Sequence, residues 1–599
     1  MKKIMEKNFN WQYCIMWIMI LLALVQITVY FAYFKEGFHS DEIWSYGYAN
    51  STHEKNIYEN DDGTLSYMNE WTDTSVLRDY IVVNKGEQFQ YDSVYNNKVL
   101  DLSPPLHSIV LHTICSFFPD SFSKWYSYLI NVISFVISMV FLYKCAALLK
   151  DETFALCCSG IYGFSLAARD TYIYLRMYAM ATAMTLVVLY NIIKYLQKSK
   201  EDNKIVNRNM VAACIVSYLS FLTNYHQIAL VGILTMFVCI YLMFGKQIKR
   251  MFVFGLGMLG AFCMAVVSFP SMFQAANRNN SEVKGVLNYN FEIRFRVLMN
   301  FVSTKLFNIH IDMFKSGYLP IVLGCIVFGL IVLIPLFVLL RDTKQIKKLR
   351  QWIFKVVKHP KQVIQHILSK INWIYVIIML TGLCQIIVIG ETTKVYAMAC
   401  TEDRYIFNIY PLVVLCVMGL VFAVFDFVNI KKRYKIFAKT FVVILLIGIN
   451  VFNCTRYVDY FFQRGNGTNI EDEINNTNCI YIRNAPWMLT AMVPVLMNAD
   501  EFLQVQYQNY EVLGDRYKEK RDNKVMVVID TSFISSMQEV LQNYQMDSEI
   551  EEDSESIRTQ HLYNDIIEYL EELEPETKME KLTEQSIFGR DMEVYCINP

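Results

Sequence analysis

Over roughly the first three quarters of the chain, long apolar runs are separated by short polar segments rich in lysine. A helix needs about 20 apolar residues to cross a bilayer. Runs near that length lie at Trp11–Phe34, Trp125–Leu148, Thr153–Ala168, Met177–Tyr195, Met210–Thr223, Gln227–Phe244, Met251–Phe269, Gly317–Leu340, Ile371–Gly390, Arg404–Phe425 and Ile436–Asn453. The pattern predicts an α-helical polytopic membrane protein with about 11 transmembrane helices. The tail changes grammar. Asn478–Ile482 and Lys524–Asp530 read as short buried strands, and Met488–Met497 and Phe533–Tyr544 as helices. Strands alternating with helices predict a small α/β domain. The expected division is a transmembrane domain over 1–453, with a long first loop at 35–124, followed by a C-terminal domain over 454–599.

Charge supplies the threading. With the N-terminus inside, the inner segments are 145–152, 196–209, 245–250, 341–370 and 426–435. They carry or adjoin Lys144–Lys150, Lys194–Lys204, Lys246–Arg250, the run from Lys344 to Lys370, and Lys431-Lys432-Arg433. Lysine and arginine fall on one side, as the positive-inside rule expects. The first loop and the tail then lie outside, and the predicted location is the plasma membrane, multi-pass, with an extracytoplasmic C-terminal domain. The run from Trp11 to Phe34 is too long for a cleaved signal and is expected to stay as a signal-anchor helix.

Composition agrees: 54% of residues are hydrophobic, 19% are charged, and the mean hydropathy is +0.26. The formal net charge of −1, with no basic stripe, zinc-finger spacing or phosphate loop, argues against a nucleic-acid partner. Most of the 15 cysteines sit in apolar runs and read as small hydrophobes. Cys479 and Cys596 in the tail are the one candidate disulfide pair.

The candidate chemistry clusters at the predicted outer ends of the spans. His39-Ser40-Asp41-Glu42 follows the first span, and Leu102-Ser103-Pro104-Pro105-Leu106-His107 opens an amphipathic stretch in the first loop. A carboxylate at a membrane–water boundary can deprotonate an acceptor hydroxyl or hold a divalent cation. An acidic pair at a solvated helix end is the plainer reading. Leu175-Arg176-Met177-Tyr178, Thr223-Asn224-Tyr225-His226, and Glu402-Asp403-Arg404-Tyr405 with Tyr410-Pro411-Leu412 also lie on that side. An arginine at a span end can snorkel to headgroups or clamp a phosphate with paired N–H donors. The neighbouring pair Arg169-Asp170 reads as a structural ion pair.

Together these motifs resemble the C-type, membrane-embedded glycosyltransferases, which include the protein O-mannosyltransferases and the bacterial lipid A aminoarabinose transferase. The resemblance covers roughly residues 10–425. Asp41-Glu42 matches the family's Asp-Glu in the first outer loop. Ser103-Pro104-Pro105-Leu106-His107 matches its His/Lys-Pro-Pro-Leu-Tyr segment, with Ser103 replacing the His or Lys and His107 replacing the Tyr. The resemblance implies transfer of a sugar from a polyprenyl-phosphate donor to an extracytoplasmic glycan, lipid or protein, with inversion at the anomeric carbon. It implies Asp41 and Glu42 as catalytic residues, Arg176, Tyr178, Arg404, His107 and His226 as substrate-binding residues, and Asp41 as the ligand of any divalent cation, Mg or Mn. The rival classes are a transporter and a non-catalytic scaffold for envelope glycan assembly. Span interiors nearly free of charge argue against the transporter.

Overall fold

The computed structural model describes residues 11–52, 56–60, 62–198, 205–275, 291–308, 372–392, 402–427, 432–454, 460–461, 470–483, 486–531, 554–573, 579–587 and 590–597. The helices begin with α1 (Trp11–Phe34), α2 (Ser40–Asn50), α3 (Ser75–Ile81), α4 (Tyr91–Asp101), α5 (Leu106–Ser116) and α6 (Lys124–Leu149). They continue with α7 (Glu152–Gly163), α8 (Leu166–Ile173), α9 (Tyr178–Lys198), α10 (Arg208–Phe221), α11 (His226–Phe244) and α12 (Ile248–Ser268). Further helices include Phe291–Phe307, Trp373–Thr392, Tyr410–Phe427 and Lys432–Asn453.

Seven helices among the described residues are long and apolar enough to cross a membrane: α1, α6, α9, α11, α12, and those at Trp373–Thr392 and Lys432–Asn453. The exposed face of α12 shows which solvent they meet. Phe252, Leu256, Leu259 and Val267 are 59%, 64%, 54% and 73% exposed, while Phe254, Met258, Ala261 and Ala265 are buried. Both stripes follow helical spacing and both are apolar, so the outward one faces hydrocarbon. The chain is an integral membrane protein.

Three expected spans are shorter helices. Thr153–Ala168 is broken: α7 ends at Gly163, and Ser165 Oγ accepts from the Ala168 amide (3.1 Å), capping a new helix. Met210–Thr223 corresponds to the 14 residues of α10. Arg404–Phe425 divides into a single turn of 3₁₀ helix at Glu402–Ile406 and the helix Tyr410–Phe427. The expected span Gly317–Leu340, the basic segment after it and the helix Phe533–Tyr544 lie outside the described residues.

The chain forms two compact units. The first comprises residues 1–27, 132–172 and 178–457; the second comprises 28–131, 173–177 and 458–599. In the first unit α10 packs between α9 and α12, α11 lies against α12, and Trp373–Thr392 lies against α11. Arg169 Nη2 and Lys305 Nζ, each 2.6 Å from a different oxygen of Asp170, make a buried ion triad.

The second unit is built on a six-stranded sheet of β1 (Trp71–Asp73), β2 (Asn478–Arg483), β3 (Glu501–Gln506), β4 (Val525–Asp530), β5 (Glu580–Ile587) and β6 (Arg590–Ile597), in the order β1-β3-β2-β4-β6-β5. β2 runs parallel to β3 and β4, whereas β1, β6 and β5 join antiparallel. Every residue of β2 and β4 is buried, as a sheet covered on both faces requires. Ile480, Ile482, Leu503, Val527 and Ile529 meet Ile566 and Leu570 of the helix Ser554–Leu573. The helix Met488–Leu496, buried along its whole length, packs against both β2 and α2.

Thus the tail does not form its sheet alone. β1 comes from the first loop, pairs with β3, and is fixed by Trp71 Nε1 donating to the Arg516 carbonyl (2.9 Å). The compact units therefore divide elsewhere than at residue 453. The candidate disulfide is excluded. Cys479 and Cys596 are free, and both pair with Met526 of β4, which lies between their strands. Two strand spacings are about 9.6 Å, beyond the roughly 7 Å limit between Cα atoms of a disulfide.

Asp73 and Glu501 stand directly opposite one another in the β1–β3 ladder. The pair Asp73→Cys/Glu501→Cys is expected to cross-link the first loop to the tail under mild oxidation. Nonreducing electrophoresis should show a dithiothreitol-sensitive mobility shift in the pair and in neither single variant.

Candidate functional site

The residues of the second unit converge on the start of α2. His39 is its N-cap, with extended backbone (φ −78°, ψ 149°), and its Nδ1 accepts from the Asp41 amide at 3.0 Å. Glu42 Oε2 reaches back to accept from the His39 amide at 2.7 Å, completing a reciprocal capping box. The tetrad is thus first a helix start, and the helix divides its two carboxylates.

Glu42 turns inward. Lys35 Nζ lies 2.8 Å from both its oxygens, and the Leu175 amide donates to Oε1 at 2.8 Å. Lys35 also donates to the Tyr460 carbonyl at 3.2 Å. Both side chains of this pair are fully buried. Burial pushes Lys35 down to about 8 and Glu42 upward, while their mutual attraction opposes both shifts. With four N–H contacts on its carboxylate, Glu42 has no lone pair directed at a substrate. Its geometry is that of a positioning residue.

Asp41 faces a different neighbourhood. Tyr174 Oη donates to its Oδ2 at 3.2 Å, Arg176 Nη2 lies 4.0 Å from the same oxygen, and His39 Nδ1 lies 3.8 Å from Oδ1. Its side chain is 15% exposed, against none for Glu42. Arg176 holds α2 as well, donating through Nη1 to the Asp41 carbonyl (2.9 Å) and to Ser45 Oγ (3.1 Å). Gly47 allows α2 to seat. A Cβ there would lie 2.0 Å from the Tyr80 ring, so the helix accepts glycine in mid-span despite its low propensity.

The segment before Pro104-Pro105 adds charge. Lys98 Nζ lies 2.7 Å from Asp101 Oδ2 and 4.5 Å from the centre of the Tyr48 ring, and Ser103 Oγ donates to the same Asp101 oxygen. Burial alone would raise Asp101, but Lys98, Ser103 and Arg176 hold it below the usual carboxylate range. His107, in the first turn of α5, is buried with no hydrogen-bond partner for Nε2 among the described residues. Burial, reinforced by the positive charges of Arg176 and Lys98, lowers its pKa to about 3.

The second unit therefore brings together Asp41, Glu42, Arg176 and His107. Sequence reasoning missed Lys35, Tyr174, Lys98 and Asp101. Lys35 reads as a snorkelling residue at a span end, and Lys98 as an ordinary polar residue of a surface helix. Only the nearness of Tyr174 to Arg176 offered a signal.

The other three candidates gather within the first unit, around Tyr405. Arg404 Cζ lies 4.9 Å from that ring's centre, with Nη2 donating to Tyr405 Oη (3.2 Å). The rings of His226 and Tyr178 lie 5.3 and 6.3 Å from it. The His226 carbonyl accepts from Gln385 at 3.1 Å. Beside Arg404, Asp403 is fully buried and accepts from Tyr410 Oη at 2.8 Å.

The donor set around Asp41 does not fit a cation cage built by the protein. A hard divalent ion takes about six or more oxygens, and Asp41 offers one carboxylate beside a guanidinium. Among the described residues no three His, Cys, Asp or Glu side chains converge.

No family model matches the chain, and no curated protein matches it. Solved structures do. ArnT from Cupriavidus metallidurans in the apo state aligns over 96% of this chain and 97% of its own, at 11% identity and a TM-score of 0.40. The archaeal oligosaccharyltransferase AglB from Archaeoglobus fulgidus, in complex with an inhibitory peptide and a dolichol-phosphate, aligns over 87% of this chain and 69% of its own, at 8% identity and a TM-score of 0.43. ArnT bound to undecaprenyl phosphate is similar at 9% identity and a TM-score of 0.39.

Two substitutions test the local architecture. Lys35→Met leaves Glu42 buried without its cation and is expected to destabilise the protein by about 3–5 kcal/mol, whereas Lys35→Met/Glu42→Leu should recover much of that loss. Gly47→Ala is expected to cost about 1–3 kcal/mol through overpacking against Tyr80. Thermal denaturation of the detergent-solubilised protein measures both.

Proposed function

We propose that the protein transfers a glycosyl group from a polyprenyl-phosphate-linked sugar to an acceptor hydroxyl outside the plasma membrane. The observation that carries the reading is the division of labour between adjacent carboxylates. Glu42 is consumed by the buried Lys35 pair and fixes the helix, which leaves Asp41 aimed beside Tyr174 and Arg176. This occurs directly after an apolar span, within motifs resembling those of the C-type glycosyltransferases.

In this reading Asp41 takes the proton of the acceptor hydroxyl. The oxygen attacks the anomeric carbon, the bond from that carbon to the phosphate oxygen breaks, and the electron pair leaves on the lipid phosphate. A single displacement inverts the anomeric centre. The guanidinium of Arg176 and the ammonium of Lys98 offset the charge developing on the leaving phosphate, with Lys98 supplying the cation that Ser103 does not. Positive charge fixed in a site that excludes water acts without reorganisation. Neutral His107 serves as a hydrogen-bonding group rather than as an acid. Arg404, Tyr178 and His226 are proposed separately as donor-binding residues. The N-terminus is assigned to the cytoplasm and the second unit to the outer side, on the distribution of lysine and arginine. The acceptor is a glycan, lipid or protein.

The test is transfer of radiolabel from a panel of polyprenyl-phosphate sugars in membranes containing wild-type or Asp41→Asn protein at equal expression. Wild type should release label from one donor, and the variant should lose roughly a hundredfold or more. Full activity in Asp41→Asn would remove the base from this mechanism, and no turnover of any donor would favour a transporter or scaffold. The cation is tested directly: loss of activity in EDTA with rescue by Mg or Mn assigns it to the reaction, and full activity in EDTA removes it. Protonation of His107 is opposed by burial and by both cations, so it remains neutral from about pH 5 upward. His107→Gln should therefore lower the rate without displacing the pH profile between about pH 5 and 9.

A further inference from the structure

A cavity of about 540 Å³ lies in the first unit, where α1 begins and α6 and α9 end. Tyr13, Tyr143 and Tyr190 line it with Lys144 and Lys194. Lys144 Nζ stands 5.8 Å and Lys194 Nζ 5.2 Å from the centre of the same Tyr190 ring. Neither lysine has a carboxylate within 4.0 Å among the described residues. Tyr143 is 1% exposed, and its hydroxyl has no hydrogen-bond partner among them.

Buried hydroxyls ordinarily find partners, because leaving one unpaired costs about 1–3 kcal/mol. The Tyr143 hydroxyl is closed off from the cavity, so the complement of an anionic oxygen there is the pair of lysines. Two carboxylates line the same cavity: Asp151, which caps α7 by accepting from the Phe154 amide at 2.8 Å, and Glu152 in the first turn of that helix. The lining therefore holds charge of both signs. The walls are the ends of membrane-spanning helices, at the level where lipid headgroups lie.

We propose that this cavity binds the headgroup of a membrane phospholipid that carries both a phosphate and a protonated amine. Lys144 and Lys194 take the phosphate oxygens, and the α7 carboxylates face the ammonium. The site is separate from the transfer chemistry and does not depend on it.

The full-length protein in detergent would be titrated with dihexanoyl phosphatidylethanolamine, dihexanoyl phosphatidylglycerol, phosphoethanolamine and inorganic phosphate, with binding read by native mass spectrometry. Phosphatidylethanolamine should bind best. Lys144→Gln/Lys194→Gln should weaken it about tenfold or more. Lys246→Gln/Lys249→Gln, which removes two charges at other helix ends, should leave it unchanged. Equal binding in the Lys144/Lys194 variant, or equal loss in the Lys246/Lys249 control, overturns the proposal. Preference for phosphatidylglycerol overturns the amine component. Binding of phosphoethanolamine or phosphate as tight as that of the lipid overturns the lipid source.

Discussion

The buried pair of Lys35 and Glu42 is the constraint on which the candidate site depends. Two charges removed from water are stable together only when their remaining hydrogen-bonding capacity is met. Here the His39 and Leu175 amides complete the carboxylate, and the Tyr460 carbonyl takes a further Lys35 proton. These groups come from three separated stretches of chain, residues 35–42, Leu175 and Tyr460. The pair therefore ties the end of α1, the start of α2, the segment before α9 and the beginning of the tail to one point. Asp41 inherits its position from that point, being the neighbour of a residue that cannot move.

Around it, charge is layered rather than scattered. Arg176 braces α2 through a main-chain oxygen and Ser45 while standing beside the Asp41 carboxylate. Lys98 is neutralised locally by Asp101 yet contributes, with Arg176, to keeping His107 neutral. In the proposed reaction such an arrangement would offset a departing phosphate without burying an uncompensated charge beforehand. The sheet supports it from beneath: the helix Met488–Leu496 packs between β2 and α2, and β1 locks the first loop to the tail. This gives the C-terminal segment a structural role in holding the candidate site, whatever else it binds.

What the sequence determined by itself follows from local physics. A bilayer imposes a length and an apolar composition on each crossing segment, so α1, α6, α9, α11 and α12 were readable directly. The His-Ser-Asp-Glu tetrad stood out because adjacent carboxylates after a span are uncommon, and β2 and β4 were visible as short apolar runs. Tertiary structure decided everything that required distant segments to meet. Three residues at Trp71–Asp73 carry no strand signal of their own and become β1 only because β3 offers an edge. The break at Ser165 was hidden because one hydroxyl cap outweighs the apolar run across it. Asp41 and Glu42 have nearly the same chemistry and differ by one position; helix rotation alone sends one into a lysine and leaves the other beside Tyr174. Arg176 and Arg404 looked equivalent as span-end arginines, and only packing gave one a carboxylate neighbour and the other the Tyr405 ring. Hydropathy and residue type act over a few turns of chain, whereas pairing of charges and strands depends on which surfaces the fold brings together.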